Sequence, residues 1–249
     1  MINGIDYKKF KDEFLETSIG KQILQDFNIV TCTSNNVPSI IELKNKFGTT
    51  CRELLGSNDL IVKQPKTTIS IVTFYYLEML KGSEHIYDLG CGWNIWKKYI
   101  PNIIGIDSNS PHADVIQSVN DKWIDENYRK FKSVFSINMD IGLKSNSICT
   151  FRNLCDQIMN FSSIVKPGGR GYIAMSVLWF YRFTDPEWYI ENQCSMYNPQ
   201  QLANKITDMV SALPLKIISL DCEFDILKNM PTHDGEFRFV FEVPNDVAV

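Results

Sequence analysis

The stretch His85-Ile-Tyr-Asp-Leu-Gly-Cys-Gly-Trp-Asn94 decides how this chain is read. A short strand, His85 to Asp88, runs into a glycine-rich turn, and a helix is predicted from Asn94 to Tyr99 until Pro101 interrupts it. Gly90 and Gly92 allow a tight turn and let the backbone approach a ligand where a side chain would block it. The start of the next helix offers N–H groups that its own turn leaves unbonded. In a doubly wound sheet, ligands bind here, at the carboxyl ends of the strands.

The next segment, Asn102 to Asp107 (NIIGID), reads as a second strand that ends in an acid. Asp107 follows Asp88 by 19 positions and Gly90 by 17. An acid about 20 residues beyond a glycine loop is placed to accept hydrogen bonds from ribose hydroxyls. Each signal is weak alone, since a strand-terminal Asp is often only a turn former. Together they favour a nucleoside ligand over a purely structural turn. A dinucleotide fits poorly, because the third small residue of that fingerprint falls on Ile95, after Trp93 and Asn94. No Gly-x-x-x-x-Gly-Lys-Ser/Thr run exists to cradle a triphosphate.

Downstream the alternation continues. Ala113 to Val119 reads as a third strand, Asn120 to Lys132 as a helix, and Ser133 to Met139 as a fourth strand. A helix over Ile148 to Val165 stops at Lys166-Pro-Gly-Gly, and Gly171 to Leu178 is a fifth strand. Pro199 to Leu213 is helical, and Leu215 to Phe224 and Glu236 to Val243 are two last strands with no helix between them. Alternating strands and helices predict an α/β fold: a doubly wound, mostly parallel seven-stranded sheet with an antiparallel edge pair at the C-terminus. Upstream, Phe10, Phe14, Ile19, Ile23 and Phe27 share one helix face, and further helices are predicted at Pro38 to Gly48, Thr50 to Leu55 and Pro65 to Lys81. The division is therefore a helical segment over residues 1–82 and an α/β domain over 83–249.

Hydrophobic residues make up 44% and charged residues 22%, a globular balance that argues against disorder or a coiled coil. The net charge of -4 supplies no global basic field for phosphate backbones, which disfavours nucleic acid as a partner. Seven scattered cysteines without Cys-x-x-Cys spacing, and only three histidines, predict no metal site and reduced thiols, as in the cytoplasm. The most apolar run, Ile69 to Leu80, contains Glu78 and falls short of the ~20 residues a membrane span needs.

From His85 to Val243 the chain resembles the class I S-adenosylmethionine (SAM)-dependent methyltransferases. The resemblance rests on Asp88-x-Gly90-x-Gly92, on Asp107, on Lys166-Pro-Gly-Gly-Arg-Gly before the fifth strand, and on the terminal pair of strands. It implies SAM as cofactor, with Gly90, Cys91 and Gly92 along its methionine part and Asp88 orienting the loop or meeting the amino group through water. It also implies Asp107 on the ribose hydroxyls, and Ser108 and Asn109 near the adenine. Val119, Asn120 and Asp121 would flank the adenine edge, and Asn138 and Met139 would face the reacting methyl. The chain departs from the family pattern at Asn94, which stands for a third glycine. It departs again at Ser136-Ile-Asn-Met-Asp140, which is not the Asn/Asp-Pro-Pro-Tyr/Phe of amino-directed DNA enzymes.

The implied reaction is methyl transfer to a small-molecule or protein acceptor. The alternatives are a non-catalytic protein of the same fold that binds a partner, and a SAM-using enzyme of other chemistry, aminopropyl transfer or SAM cleavage. Methyl transfer from a sulfonium depends mainly on holding the acceptor in line, so a general base is needed only for an acceptor that carries a proton. Candidate catalytic residues are Asn138 and Asp140, with His112 and His233 as further candidate bases. The aromatic run Trp179 to Tyr189 reads as a lid or acceptor pocket, or equally as a plug for a long loop. The N-terminal helices read as a cap on the site or a docking surface for a protein partner.

Overall fold

The structure, a computed structural model, describes residues 7–26, 28–31, 60–64, 67–70, 72–80, 82–137, 151–176, 199–223 and 236–245. Two short helices, α1 (Tyr7–Leu15) and α2 (Ser18–Asp26), open the chain. Strands β1 (Asn28–Thr31), β2 (Leu60–Gln64) and β3 (Thr67–Ser70) form a small antiparallel sheet in the order β1-β2-β3. Helix α3 (Val72–Glu78) then leads into the α/β domain. The helix expected from Pro65 is thus corrected. Thr67, Thr68 and Ile69 are β-branched, stiff in a helix, and pair instead with β2. The helices expected at Pro38 to Gly48 and Thr50 to Leu55 lie outside the described residues.

The main sheet holds β4 (Ile86–Leu89), β5 (Ile103–Asp107), β6 (Val115–Ile116), β7 (Phe131–Ile137), β8 (Val165–Ser176), β9 (Lys216–Glu223) and β10 (Glu236–Glu242). Its order is β6-β5-β4-β7-β8-β10-β9, with β6, β5, β4, β7 and β8 joined in parallel. Strand β10 runs antiparallel to both β8 and β9, so the predicted terminal pair is present. Among the described residues, the domain also holds helices α4 (Asp121–Glu126), α5 (Phe151–Ser163) and α6 (Pro199–Ser211).

Each face of the sheet buries its own cluster. On one side Leu89, Ile106, Val134, Ile173 and Phe239 meet Trp123 and Ile124 of α4, Leu154, Ile158 and Phe161 of α5, and Ile206 and Val210 of α6. On the other, Ile86, Ile103, Phe135, Tyr172, Ala174 and Val240 meet Phe14 of α1, Ile23 of α2 and Phe74, Tyr76 and Leu77 of α3. Full burial of each such side chain stabilises by about 1.5–3 kcal/mol, so the N-terminal helices are part of the core.

Several boundaries differ from the sequence expectation. The third strand shrinks to Val115–Ile116, and Asp114 before it turns back to accept from Gly105 N–H of β5 and from the Asn94 side chain. The helix expected over Asn120 to Lys132 ends at Glu126, where Asn127 turns its side chain back to the Trp123 carbonyl, and β7 has begun by Phe131. The turn expected at Lys166-Pro-Gly-Gly lies inside β8, where Gly168 N–H donates to the Val243 carbonyl at 2.7 Å and the β7–β8 register shifts.

Candidate functional site at the glycine loop

The alternation of β4 and β5 turns Asp88, Gly105 and Asp107 toward the face that α1–α3 cover, and Asp88 stands opposite Gly105 in the ladder. Beyond Leu89 the chain bends sharply. Gly90 and Gly92 have φ of 74° and 50°, conformations that a Cβ resists, and Gly90 N–H donates to the Ile106 carbonyl at 2.8 Å. The loop folds directly over Gly105, where a Cβ would stand 2.7 Å from both the Asn94 carboxamide and the Cys91 sulfur. By contrast, a Cβ on Gly92 would meet nothing within 4 Å, so the loop's apex faces open space. A ligand can therefore lie against the backbone there.

Asp107 latches the loop to the end of β5. Its Oδ2 accepts from Gly92 N–H at 3.1 Å, and its Oδ1 from Asn109 and Ser110 N–H at 2.8 and 3.0 Å. The Ser110 hydroxyl adds a bond to the Gly92 carbonyl. Burial alone would raise the Asp107 carboxyl, but these three N–H donors hold it below the usual carboxylate range. Asp107 is thus ionised, and Oδ2 keeps one acceptor position for an incoming hydroxyl.

Asp88 is in the opposite condition. It is 3% exposed, and its Oδ2 has no hydrogen-bond partner among the described residues. Burial, and then the Asp107 charge, push its carboxyl well above the usual range. Cys91 shares this environment: burial first, then Asp88, Asp107 and Asp114, push its thiol up to about 12. It is no nucleophile, since the thiolate is the reactive form.

Asn94, in place of a third glycine, adopts φ 51° and ψ 37°. Asparagine tolerates this left-handed conformation better than most residues. Its amide nitrogen donates to the His112 carbonyl at 3.1 Å and to Asp114 Oδ2 at 3.0 Å. Asp114 Oδ2 also accepts from Gly105 N–H at 2.8 Å, and Lys97 pairs with its Oδ1. Burial raises Asp114, but the Lys97, Gly105 and Asn94 bonds outweigh it and leave the carboxyl low. The helix expected after the loop is a single 3-10 turn, Ile95–Lys98. So short a turn has almost no dipole to hold an anion.

The other predicted residues divide. Ser108 and Asn109 are exposed beside Asp107, and Asn109 donates to the Ser108 hydroxyl at 2.9 Å. Asn120 caps α4, its Oδ1 accepting from Trp123 N–H at 3.0 Å, which leaves its nitrogen for a ligand. His112 stacks on Trp93, with ring centres 4.5 Å apart, at the exposed rim. Asn138, Met139, Asp140, His233 and the run Trp179 to Tyr189 lie outside the described residues. Sequence reading missed Gly105, Ser110, Asp114 and Ser136, whose hydroxyl ties β7 to the Leu89 carbonyl at 3.0 Å. Asp114 sits in an apolar run that gives no local sign of its partners.

With β10 set between β8 and β9, the sheet is a mostly parallel seven-stranded one with an antiparallel edge pair. No family model matches the chain, and no curated protein matches its sequence. Among solved structures it is similar to a variant of the 16S rRNA (adenine(1408)-N(1))-methyltransferase from Catenulisporales acidiphilia. There the identity is 11% and the TM-score 0.38, with 76% of this chain and 99% of that chain covered. It is also similar to a SAM-dependent methyltransferase from Archaeoglobus fulgidus, at 13% identity and a TM-score of 0.41, covering 68% and 90%. The cyclase SpnF gives 10% identity and a TM-score of 0.42, covering 70% and 80%. At these identities and scores the likeness carries no activity to this chain. Among the described residues no helix is long and apolar enough to cross a membrane.

Proposed function

We propose that this chain is a SAM-dependent methyltransferase that acts on a small molecule or a protein side chain. The observation that carries the reading is the charge around the glycine loop. Asp107 is ionised, Asp88 is buried within reach of its field, and the nearby Lys97 is already matched by Asp114. A pyrophosphate would meet carboxylates without a helix dipole to balance them. A cationic nucleoside suits the same place, and SAM carries both a sulfonium and an ammonium.

The residues fit that ligand. Gly92 leaves open space for close backbone approach, and Asp107 Oδ2 retains an acceptor position for a ribose hydroxyl. When bound, SAM supplies an electrophilic methyl group. The chain's part is to fix the ligand with the Asp107 latch and to keep the loop rigid through Asn94 and Asp114. It also shields the inner side with the wall that α3 packs on the sheet.

Calorimetric titration with SAM and S-adenosylhomocysteine, beside an Asp107→Ala variant, tests this. Binding to the wild type and its loss in the folded variant are expected. Absence of binding to well-folded wild type would overturn the reading. With an acceptor present, S-adenosylhomocysteine as product marks methyl transfer, and methylthioadenosine marks SAM cleavage or aminopropyl chemistry.

A further inference from the structure

The buried carboxyl of Asp88 has no role in the latch that holds the loop. Every other carboxylate near the turn is spoken for: Asp107 by three N–H groups, and Asp114 by Gly105, Asn94 and Lys97. Asp88 alone is sealed from water, with an oxygen that has no hydrogen-bond partner among the described residues. A carboxylate in that position is costly, and burial there favours the protonated form.

We propose that cofactor binding at this loop is coupled to proton release, with Asp88 giving up its carboxyl proton as a cationic ligand settles against Gly90–Gly92. The inference rests on the reading of the site as one for a cationic nucleoside. The Oδ–H bond of Asp88 breaks, the proton passes to the buffer, and the carboxylate left behind balances the ligand's positive charge. No direct contact is required, because an opposite charge within about 4–6 Å lowers a carboxyl pKa by about 1–3 units.

The surroundings leave Asp88 as the group that answers the ligand. From β5 comes Asp107, already ionised, and from the loop Cys91, whose thiol stays protonated. The turn after β5 brings Asp114, matched by Lys97 of the 3-10 turn. Across the ladder, β7 presents the uncharged Phe135, and one strand further β8 presents Tyr172. From α3 comes Tyr76, whose hydroxyl donates to Asp221 at 3.1 Å, while Phe14 of α1 and Ile23 of α2 are apolar. The wild-type site therefore favours a cation over a neutral nucleoside, increasingly so as pH rises.

The test is calorimetry of the intact chain at about pH 7 in two buffers of different ionisation enthalpy. The ligands are SAM, S-adenosylhomocysteine and 5′-methylthioadenosine, which has no ammonium. Release of up to about one proton is expected with the first two ligands and none with the third. The same measurement on Asp88→Asn should show binding without release. The wild type alone gives a second reading, since the affinity for SAM should rise by up to about tenfold per pH unit below the Asp88 value. Binding without proton release, or release that persists in Asp88→Asn, would overturn the coupling and leave the nucleoside site standing. Failure of all three ligands to bind would overturn both.

Discussion

The two faces of the main sheet bury apolar clusters of similar make-up, yet their strands carry different chemistry. Toward α4, α5 and α6, one row across the sheet reads Leu89, Ser136, Ile173, Phe239 and Leu220, and the single hydroxyl is bonded to a backbone carbonyl. Toward α1–α3, the adjacent row reads Asp88, Phe135, Tyr172, Val240 and Ser219. Beside it stand Ala174, Arg238 and Asp221, the last two 3.7 Å apart and almost fully buried. Tyr76 donates to Asp221 and stacks flat on Tyr172 at 5.1 Å. One face specifies the fold by packing. The other accepts the desolvation of acids and an ion pair, and it is the face onto which the glycine loop turns.

The largest test of that contrast is to remove charge from the polar face. Asp221→Ala removes the carboxylate that faces the buried Arg238 guanidinium and should cost about 3–5 kcal/mol in urea unfolding. The double variant Asp221→Leu, Arg238→Met should recover most of that loss, since apolar replacement of a buried pair is often neutral or better. A double variant as unstable as the single one would mean that this face depends on its ion pair as the other depends on packing. Phe239→Ala on the apolar face, with no such rescue available, should cost about 3–5 kcal/mol.

Gly105→Ala comes next. The new methyl would collide with Asn94 and Cys91, costing about 1–3 kcal/mol in overpacking, and should weaken SAM binding at least about tenfold by lifting the loop. Unchanged affinity in a titration would show that the loop's seat on β5 is not what shapes the site.

A third test uses pH. The folded-state value of Asp88 is raised, so its stabilising share is fully present below the unfolded value near pH 4 and is lost as pH rises through the folded value. Asp88→Asn should therefore flatten the fall in stability above about pH 4 and leave the ligand-free protein more stable at neutral pH. Asp107 has the opposite sign: its folded value is lowered, so its share is present above the unfolded value and lost as pH falls through the folded one. Urea midpoints across the pH range would separate the two. The smallest effects belong to Asn94, where Ala should cost about 1–2 kcal/mol in the left-handed conformation and Gly less, although both lose the tie to Asp114.

Much of the glycine loop's geometry was legible because its signals are local. A strand, two glycines at one spacing and an acid at the next strand end lie within one βαβ-like unit, and each has a direct backbone reason. What stayed hidden was the identity of the partners. Nothing near Asp114 in sequence announces Gly105 and Asn94, and Tyr76 lies 145 positions from Asp221. The β-branched run at Thr67 to Ile69 was hidden for a related reason: its helical pattern was plausible until β2 offered a ladder.

By itself, then, the sequence determined the alternating layout, the tight turn at Gly90 and Gly92, and the nearness of an acid to that turn. These follow from side-chain period and backbone sterics, which act over a few residues. Only the tertiary structure decided that Asp107 is an ionised latch, that Asp88 is a sealed acid held above the usual carboxylate range, and that an ion pair lies beneath α3. A carboxyl's state depends on the water it has lost and the donors it has gained, and here both come from strands and turns that only folding brings together.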